Sequence, residues 1–391
     1  MKNKPGILSH KPLFPEFVPI VRPCLPEFGL LAADVERMLA TGVLTKGPHL
    51  EQFETKSAAH LQVDHAVGVS SCTVGLMLTY LGMGLTGDVV VPSFTFMATV
   101  SSLVLAGLRP VFADVSRDST NLDPVAVEEA ITPRTSAIVA VHNFGNPAEI
   151  SSLEEIAAKR GLKLIFDAAH GFGSLHRGTP LGGQGDAHVF SLSPTKLVTG
   201  GEGGLVATND WELAERLRIA REYGHSTGYD SAFAGLNGRM AEFNALLALR
   251  SLDMLDGVVS HRNILASMYR AELGGVPGIG FQRVHPEDRS CYKDFSVTID
   301  GAGFGMNRDE LVRTLAADNI DTRAYYCPAV HAQTAYRSFF RGAQLPNTDF
   351  LSARSLSLPM WSHMEPETVS LICLAVKRAH EHAAEIRDLW I

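Results

Sequence analysis

Phe190–Gly204 reads FSLSPTKLVTGGEGG, and the placing of its one lysine, Lys196, decides how the rest of the chain is read. A short apolar run ends in Ser191, and beyond the lysine Gly200, Gly201, Gly203 and Gly204 form a turn around Glu202. Most lysines are solvated surface charges. A strand end that delivers a lysine into a glycine-rich loop also suits a covalent imine anchor, because the amine must lie in a pocket where it can lose its proton. Which reading holds turns on whether another part of the chain answers to a buried amine.

Upstream, Leu164–Gly173 reads LIFDAAHGFG. Apolar residues of strand type run into Asp167, Ala168, Ala169 and His170, and the glycines that follow allow a close turn. A carboxylate at a strand end can be held in a cleft away from water. Pyridoxal phosphate needs such a group, since a charge-assisted hydrogen bond keeps its pyridine nitrogen protonated and the ring an electron sink. A strand-end Asp is equally the ordinary cap of a following helix. Asp167 and Lys196 together favour the cofactor.

Outward from these segments, strand-like and helix-like runs alternate. The pattern predicts strands over 89–92, 110–113, 136–141 and 163–166, separated by helices over 97–106, 124–130 and 152–160. Strands of continuous apolar character in such an alternation predict an α/β fold, a mainly parallel sheet covered by helices on both faces. Ligands in such sheets bind off the carboxyl ends of the strands. Ahead of them, HAVGVSS is a short strand leading into Ser71-Cys72-Thr73 and a helix from Val74. The unpaired amides and dipole of that helix start make a ready phosphate site, and a plain Ser/Thr cap is the alternative. The dipole is worth about 0.3–2 kcal/mol, which assists an anion without deciding its identity. After Asp256 a helical pattern over 260–273 closes at Gly274-Gly275, followed by strand-like CYKDFSVTI, a helix over 308–318 and helices around 365–389. The expected division is an N-terminal arm (1–22), a large domain (23–256) and a smaller α+β C-terminal domain (257–391).

With 391 residues, 46% hydrophobic and 19% charged, the chain can bury a large core, and a net charge of −8 with no basic run excludes a polyanion partner such as nucleic acid. The five cysteines are scattered without CxxC or metal-ligand spacing, which predicts reduced thiols, no metal and a cytoplasmic location. Val89–Leu108 is uncharged and long enough to span a bilayer, but Pro92 and its hydroxyl residues make it a strand, loop and buried helix. A soluble protein without a membrane segment is expected.

Ten motifs in order carry a resemblance: LTKGPHLEQFE, AVGVSSCTVGL, VVVPSFTFMAT, PVFADV, NLDP, FDAAHGFGS, FSLSPTK, GEGG, GLNGRM and YYCP, from Leu44 toward the C-terminus. On these the chain resembles the DegT/DnrJ/EryC1/StrS family of pyridoxal-phosphate sugar aminotransferases. The resemblance implies fold type I, the aspartate aminotransferase-like fold. It gives Lys196 the anchoring and acid–base role and Asp167 the pyridine nitrogen. It further implies that His170 contacts the ring hydroxyl, that Ser191 with Cys72 and Thr73 holds the phosphate, and that Phe96 rather than Phe94 lies flat on the ring; a satisfied core histidine and a buried core Phe are the alternatives for His170 and Phe96. The family usually has glycine at the position of Cys72, so the contact there falls to the amide. Glu202 is read as a helper of its turn.

In similar proteins a Gly/Ser/Tyr-rich segment, here Tyr223–Asn237, crosses to a second subunit. The resemblance carries the phosphate contact made there to Asn237, although Leu236 and Gly238 replace two flanking tyrosines; the alternative is a helix N-cap. Arg323, Tyr325, Tyr326 and His331 resemble a Tyr-Tyr-x-Pro-x-His run and form a candidate acceptor for a nucleotide-sugar diphosphate or the donor's carboxylate. The implied reaction moves an amino group from L-glutamate to a nucleotide-linked keto sugar, first dTDP-4-keto-6-deoxyhexose at C4, in a homodimer. C3-keto sugars and cyclitols are alternatives on the same scaffold. A nicotinamide-dependent oxidoreductase would need G-x-G-x-x-G where this chain has VSSCTVG, and a non-catalytic sensor would not need Lys196.

Overall fold

The computed structural model describes residues 4–227, 230–340 and 342–390. Residues 1–3 of the expected arm and 228–229 of the expected crossing segment lie outside the described residues. Seven strands build the main sheet: β1 (His65–Val69), β2 (Asp88–Pro92), β3 (Arg109–Ala113), β4 (Thr135–Val141), β5 (Lys163–Asp167), β6 (Ala187–Ser191) and β7 (Gly204–Thr208). Their order is β1-β7-β6-β5-β4-β2-β3. Strand β7 runs antiparallel to both neighbours and the other pairings are parallel.

The continuous apolar runs follow from burial on both faces. Alternation along the strands sends Val89, Val91, Val139, Ile165, Val189 and Val206 into one core, with helices Cys72–Gly82, Ala98–Leu105 and Trp211–Ala220. Val90, Ile138, Leu164 and Phe166 face the opposite way onto helix Ile150–Arg160, and Phe190 and Leu205 onto helices Pro48–Leu61 and Glu242–Leu252. Val89–Leu108 is indeed a strand, a loop and a short helix. No helix among the described residues is long and apolar enough to cross a membrane.

A smaller antiparallel sheet follows in the C-terminal part, with order β8 (Ile279–Phe281), β9 (Phe295–Ile299), β10 (Ser355–Leu358). It packs with helices Arg308–Ala316 and Pro366–Glu381 around Phe295, Val297, Leu311, Ile372 and Val376. Helix Leu255–Leu273 belongs to both cores: Leu255, Val258 and Val259 pack in the large one, and Leu265, Tyr269 and Leu273 in the small one. The expected boundary near Asp256 therefore falls inside a helix. The N-terminal stretch is seated on the small core through Phe14 and Val18, and the amides of Gly6 and Leu13 each donate to Asp318 Oδ1 at 2.9 Å.

Register places the chemistry on one edge. Ser191 closes β6 opposite Gly204, Gly204 lies opposite Val69 on β1, and Asp167 closes β5 opposite Val189. The ends of β1 and β6 thus meet at the start of β7, with the end of β5 beside β6.

Candidate active site

The turn after β1 forms the first wall. Ser71 is extended and caps helix Cys72–Gly82, accepting from Val74 N–H at 3.2 Å. The other first-turn amides have no acceptor within the helix, and Cys72 and Thr73 both line a cavity. Strand β7 can approach this turn only as glycine: a Cβ on Gly204 would lie 2.6 Å from the Ser71 carbonyl carbon and 2.7 Å from Cys72 N. Ser191 and Ser193 bring two hydroxyls, 3.4 Å apart, to the same cavity.

Asp167 lies deeper. Its Oδ2 accepts from the Thr99 hydroxyl at 2.7 Å and its Oδ1 from Ala169 N–H at 3.1 Å, while the Cys72 thiol stands 3.9 Å from Oδ1. Burial pushes this carboxyl above the usual range, and Thr99, Ala169 and the charge of Lys196 oppose the rise. Turns rather than a helix follow β5, so Asp167 caps no helix.

Lys196 is half-buried, its open side being the cavity it lines. Removal from water lowers its pKa to about 8; the charge of Lys293 adds to the effect, and Asp294, Cys72 and Asp167 oppose it. His170 is held neutral, well below its ordinary pKa, by burial and by the charges of Lys196 and Lys293. Its Nδ1 accepts from Phe144 N–H at 3.2 Å, which assigns the ring proton to Nε2.

The last wall comes from the C-terminal part. Tyr326 stacks on Phe144 with centroids 5.8 Å apart and meets Phe94 edge-on at 5.4 Å. Burial raises the Tyr325 hydroxyl to about 12. Beside it, Lys293 Nζ lies 2.9 and 3.0 Å from the two Asp294 carboxylate oxygens. Phe96 stands in the cavity wall, 52% exposed, whereas Phe94 is buried in the aromatic cluster. The enclosed space is about 320 Å³, within the roughly 300–1,000 Å³ usual for small-molecule sites. Among the described residues no group of three or more His, Cys, Asp or Glu is arranged to hold a metal ion.

A lysine of lowered proton affinity, a buried carboxylate and a hydroxyl-rich helix start around one cavity fit pyridoxal phosphate, and with this sheet they define a pyridoxal-phosphate-dependent enzyme of the aminotransferase fold. The chain belongs to the DegT/DnrJ/EryC1/StrS aminotransferase family, whose model matches residues 30–377. It is similar to dTDP-3-amino-3,4,6-trideoxy-alpha-D-glucose transaminase of Streptomyces venezuelae, with 38% identity over 87% of this chain and 89% of that protein. It is 33% identical to the spore coat polysaccharide biosynthesis protein SpsC of Bacillus subtilis, over 88% of this chain and 92% of that one. A crystal structure of DesI in the presence of its TDP-sugar product superposes with a TM-score of 0.92 at 36% identity, covering 99% of this chain and all of that one.

Of the residues expected at the site, Cys72, Thr73, Phe96, Asp167, His170, Ser191, Lys196, Tyr325 and Tyr326 line this cavity. Asn237, Arg323 and His331 do not. Asn237 is exposed and bridges to Glu222; the next helix begins at Glu242 with Ala241 at its cap, so Asn237 does not cap it either. Arg323 is ion-paired with Asp321 and bridged through its backbone to Ser357. His331 is buried against the Ser93 hydroxyl at 2.7 Å and lies 3.4 Å from Asp349. Glu202, expected to support its turn, is exposed at the cavity and makes no side-chain hydrogen bond among the described residues. Sequence reading missed Thr99, Lys293 and Asp294. Adjacent opposite charges inside the strand-like run CYKDFSVTI were the one available signal for the latter two.

Proposed function

We propose that this aminotransferase moves an amino group from L-glutamate to a nucleotide-linked keto sugar, dTDP-4-keto-6-deoxyhexose, at C4. The observation that carries amino transfer is Lys196, a lysine inside the cavity whose pKa of about 8 leaves part of it as free base at neutral pH. When bound, pyridoxal phosphate supplies the electron sink that lets a substrate carbon release its proton.

The chain's own groups do the rest. Lys196 Nζ would anchor the cofactor and carry the proton released from the donor's Cα. Asp167 would accept from its pyridine nitrogen, and His170 Nε2–H would donate to its hydroxyl. The amides of Cys72 and Thr73 with the Ser191 hydroxyl would hold its phosphate, and Phe96 would pack on it. Tyr325 and Tyr326 meet the substrates. Asn237 serves the site of a second copy in a homodimer, a reading its exposed position away from this cavity supports. Arg323 and His331 act only if the occupied cleft draws them inward. Five unpaired thiols suit the reducing cytoplasm.

For the acceptor, support comes from the relatives: the Streptomyces venezuelae transaminase is named for a dTDP-linked amino sugar, and the DesI crystal structure was obtained in the presence of its TDP-sugar product. The same transaminase name gives C3, which favours amination at C3 as the second reading. The purified protein should be yellow and lose its visible band with L-glutamate. A Lys196→Ala protein that still turns over glutamate and keto sugar ends the assignment of the lysine. NMR of the product formed from a panel of dTDP-keto sugars decides the carbon.

A further inference from the structure

Lys293 and Asp294 are buried, 5% and 6% exposed, yet both line the cavity that holds Lys196. An ammonium carries three N–H donors. Two are taken by Asp294 Oδ1 and Oδ2 at 2.9 and 3.0 Å, and among the described residues no other acceptor meets Lys293 Nζ. The Tyr325 ring stands beside it, its centroid 5.9 Å from Nζ. One N–H is therefore left for a ligand.

The backbone that presents this lysine is fixed on two sides. Arg262, itself buried, donates from Nε to Tyr292 O at 2.8 Å and from Nη2 to Lys293 O at 2.6 Å. Cys291 N–H donates to Ser174 Oγ at 3.0 Å, and the Cys291 thiol reaches His170 O at 3.0 Å. The lysine is thus tied to the same turn that carries His170. A buried ion pair is a poor device for stability, because desolvating two charges offsets their attraction. One placed in the wall of a substrate cavity has a use that the fold does not supply.

Resting on the amino-transfer reading above, we propose that Lys293 binds the α-carboxylate of the amino donor, with Asp294 orienting its ammonium. The donor's Cα must come to Lys196, and its carboxylate is bonded to that carbon, so the acceptor has to lie in the same cavity. Among the described residues lining it, the cations are Lys196 and Lys293, and Lys196 is committed to the cofactor and the proton. The charge of Lys293 is felt at Lys196, as a neighbour's must be. The Lys293–Asp294 pair is neutral as a unit, and so are the α-ammonium and α-carboxylate that every amino-acid donor brings to Cα.

The test uses the holoenzyme and measures the two half-reactions separately. The donor is the L-amino acid from a panel that converts the wild-type cofactor band. If that is not glutamate, the glutamate reading falls while the test of Lys293 proceeds unchanged, since every member carries the α-carboxylate. Lys293→Met should raise the donor's KM about tenfold or more, as expected for losing a charge-assisted hydrogen bond. Calorimetry should find the matching 2-oxo acid binding the aldehyde-form enzyme more weakly by the same factor. Lys293→Arg should recover part of both losses. The KM for keto sugar of the aminated enzyme should change less than about twofold, while the rate of that half-reaction follows the change Lys293 imposes on Lys196. Lys293→Met/Asp294→Asn removes the unpaired carboxylate and should behave as the single variant does. Unchanged donor KM and 2-oxo acid affinity in both variants overturns the proposal. So does a loss confined to the sugar half-reaction, which would assign the pair to the sugar's diphosphate.

Discussion

The hydroxyl of Thr99 donates to Asp167 Oδ2 at 2.7 Å, joining the first turn of helix Ala98–Leu105 to the last residue of β5. Thr99 Oγ1 also lies 2.9 Å from Thr95 Oγ1, which fixes its rotamer. The bond holds the Asp167 carboxyl down against burial. Without it the acid form gains, and the anion needed opposite a pyridine nitrogen is lost first at low pH. Thr99→Val should lower kcat/KM roughly tenfold, the 1.5 kcal/mol scale of a hydrogen bond to a charged group. The acidic limb of the pH–rate profile should move to higher pH. Thr99→Ser should recover most of both effects, and a valine variant with an unmoved limb would detach Thr99 from the carboxylate's titration.

Lys196 makes the stability of the cofactor-free protein depend on pH. Its folded pKa of about 8 lies below the ordinary 10.5. Between those values the unfolded chain holds a proton that the folded chain has released, so stability rises with pH across that window. Below pH 8 the charged amine is buried at a cost of at most about 3 kcal/mol, from 1.36 kcal/mol per pH unit. Lys196→Met lacks this term. In urea unfolding the variant should be the more stable at pH 7, and its advantage should shrink steadily toward pH 10. A difference that stays flat would put the amine in water.

Glu242 holds the entrance of another helix. Its fully buried carboxylate accepts from the amides of Gly47, His49 and Leu50 at 3.0, 2.9 and 3.0 Å, filling the amino end of helix Pro48–Leu61. Negative charge at a helix start satisfies orphan amides and opposes the dipole. Glu242→Gln keeps one good acceptor and should cost about 1–2 kcal/mol, while Glu242→Ala strands all three donors and should cost about 3 kcal/mol or more. Urea midpoints at constant m decide between these values, and equal losses would mean the charge does nothing beyond filling space.

What the sequence reveals and what it hides divides along contact range. Strands β2, β4 and β5 are legible because burial on both faces writes an unbroken apolar run into consecutive residues. Lys196 and Asp167 are legible because each stands beside the glycines that make its turn. Thr99, Glu242 and the Lys293–Asp294 pair act across the fold instead: Thr99 on Asp167 spans 68 residues and Glu242 on Gly47 spans 195. Periodicity reports which face of an element is buried and says nothing of which distant element it meets. The cap alternative for Asn237 fails for the same reason: the helix begins at Glu242, whose carboxylate is engaged with the start of a different helix.

The Cys72 thiol lies 3.5 Å from Val189 O and 3.9 Å from Asp167 Oδ1. Burial and then the Asp167 carboxylate push the thiol well above its ordinary pKa. A thiol held protonated is a poor nucleophile. At pH 8 iodoacetamide should label the exposed Cys327 and spare Cys72 even in the cofactor-free enzyme, as peptide mass mapping would record. Because the phosphate role assigned to this position needs only the amide, Cys72→Gly should keep kcat/KM within about threefold. The helix end would lose little, since glycine is tolerated at a first turn whose cap is Ser71. Cys72→Asp would set a second carboxylate beside Asp167, where like charges cannot both ionise at close range. Cofactor affinity should then fall at least tenfold with folding preserved, read from equilibrium dialysis and the far-UV spectrum. Full affinity in that variant would mean that the thiol points away from the carboxylate and that its distance to Asp167 has no chemical consequence.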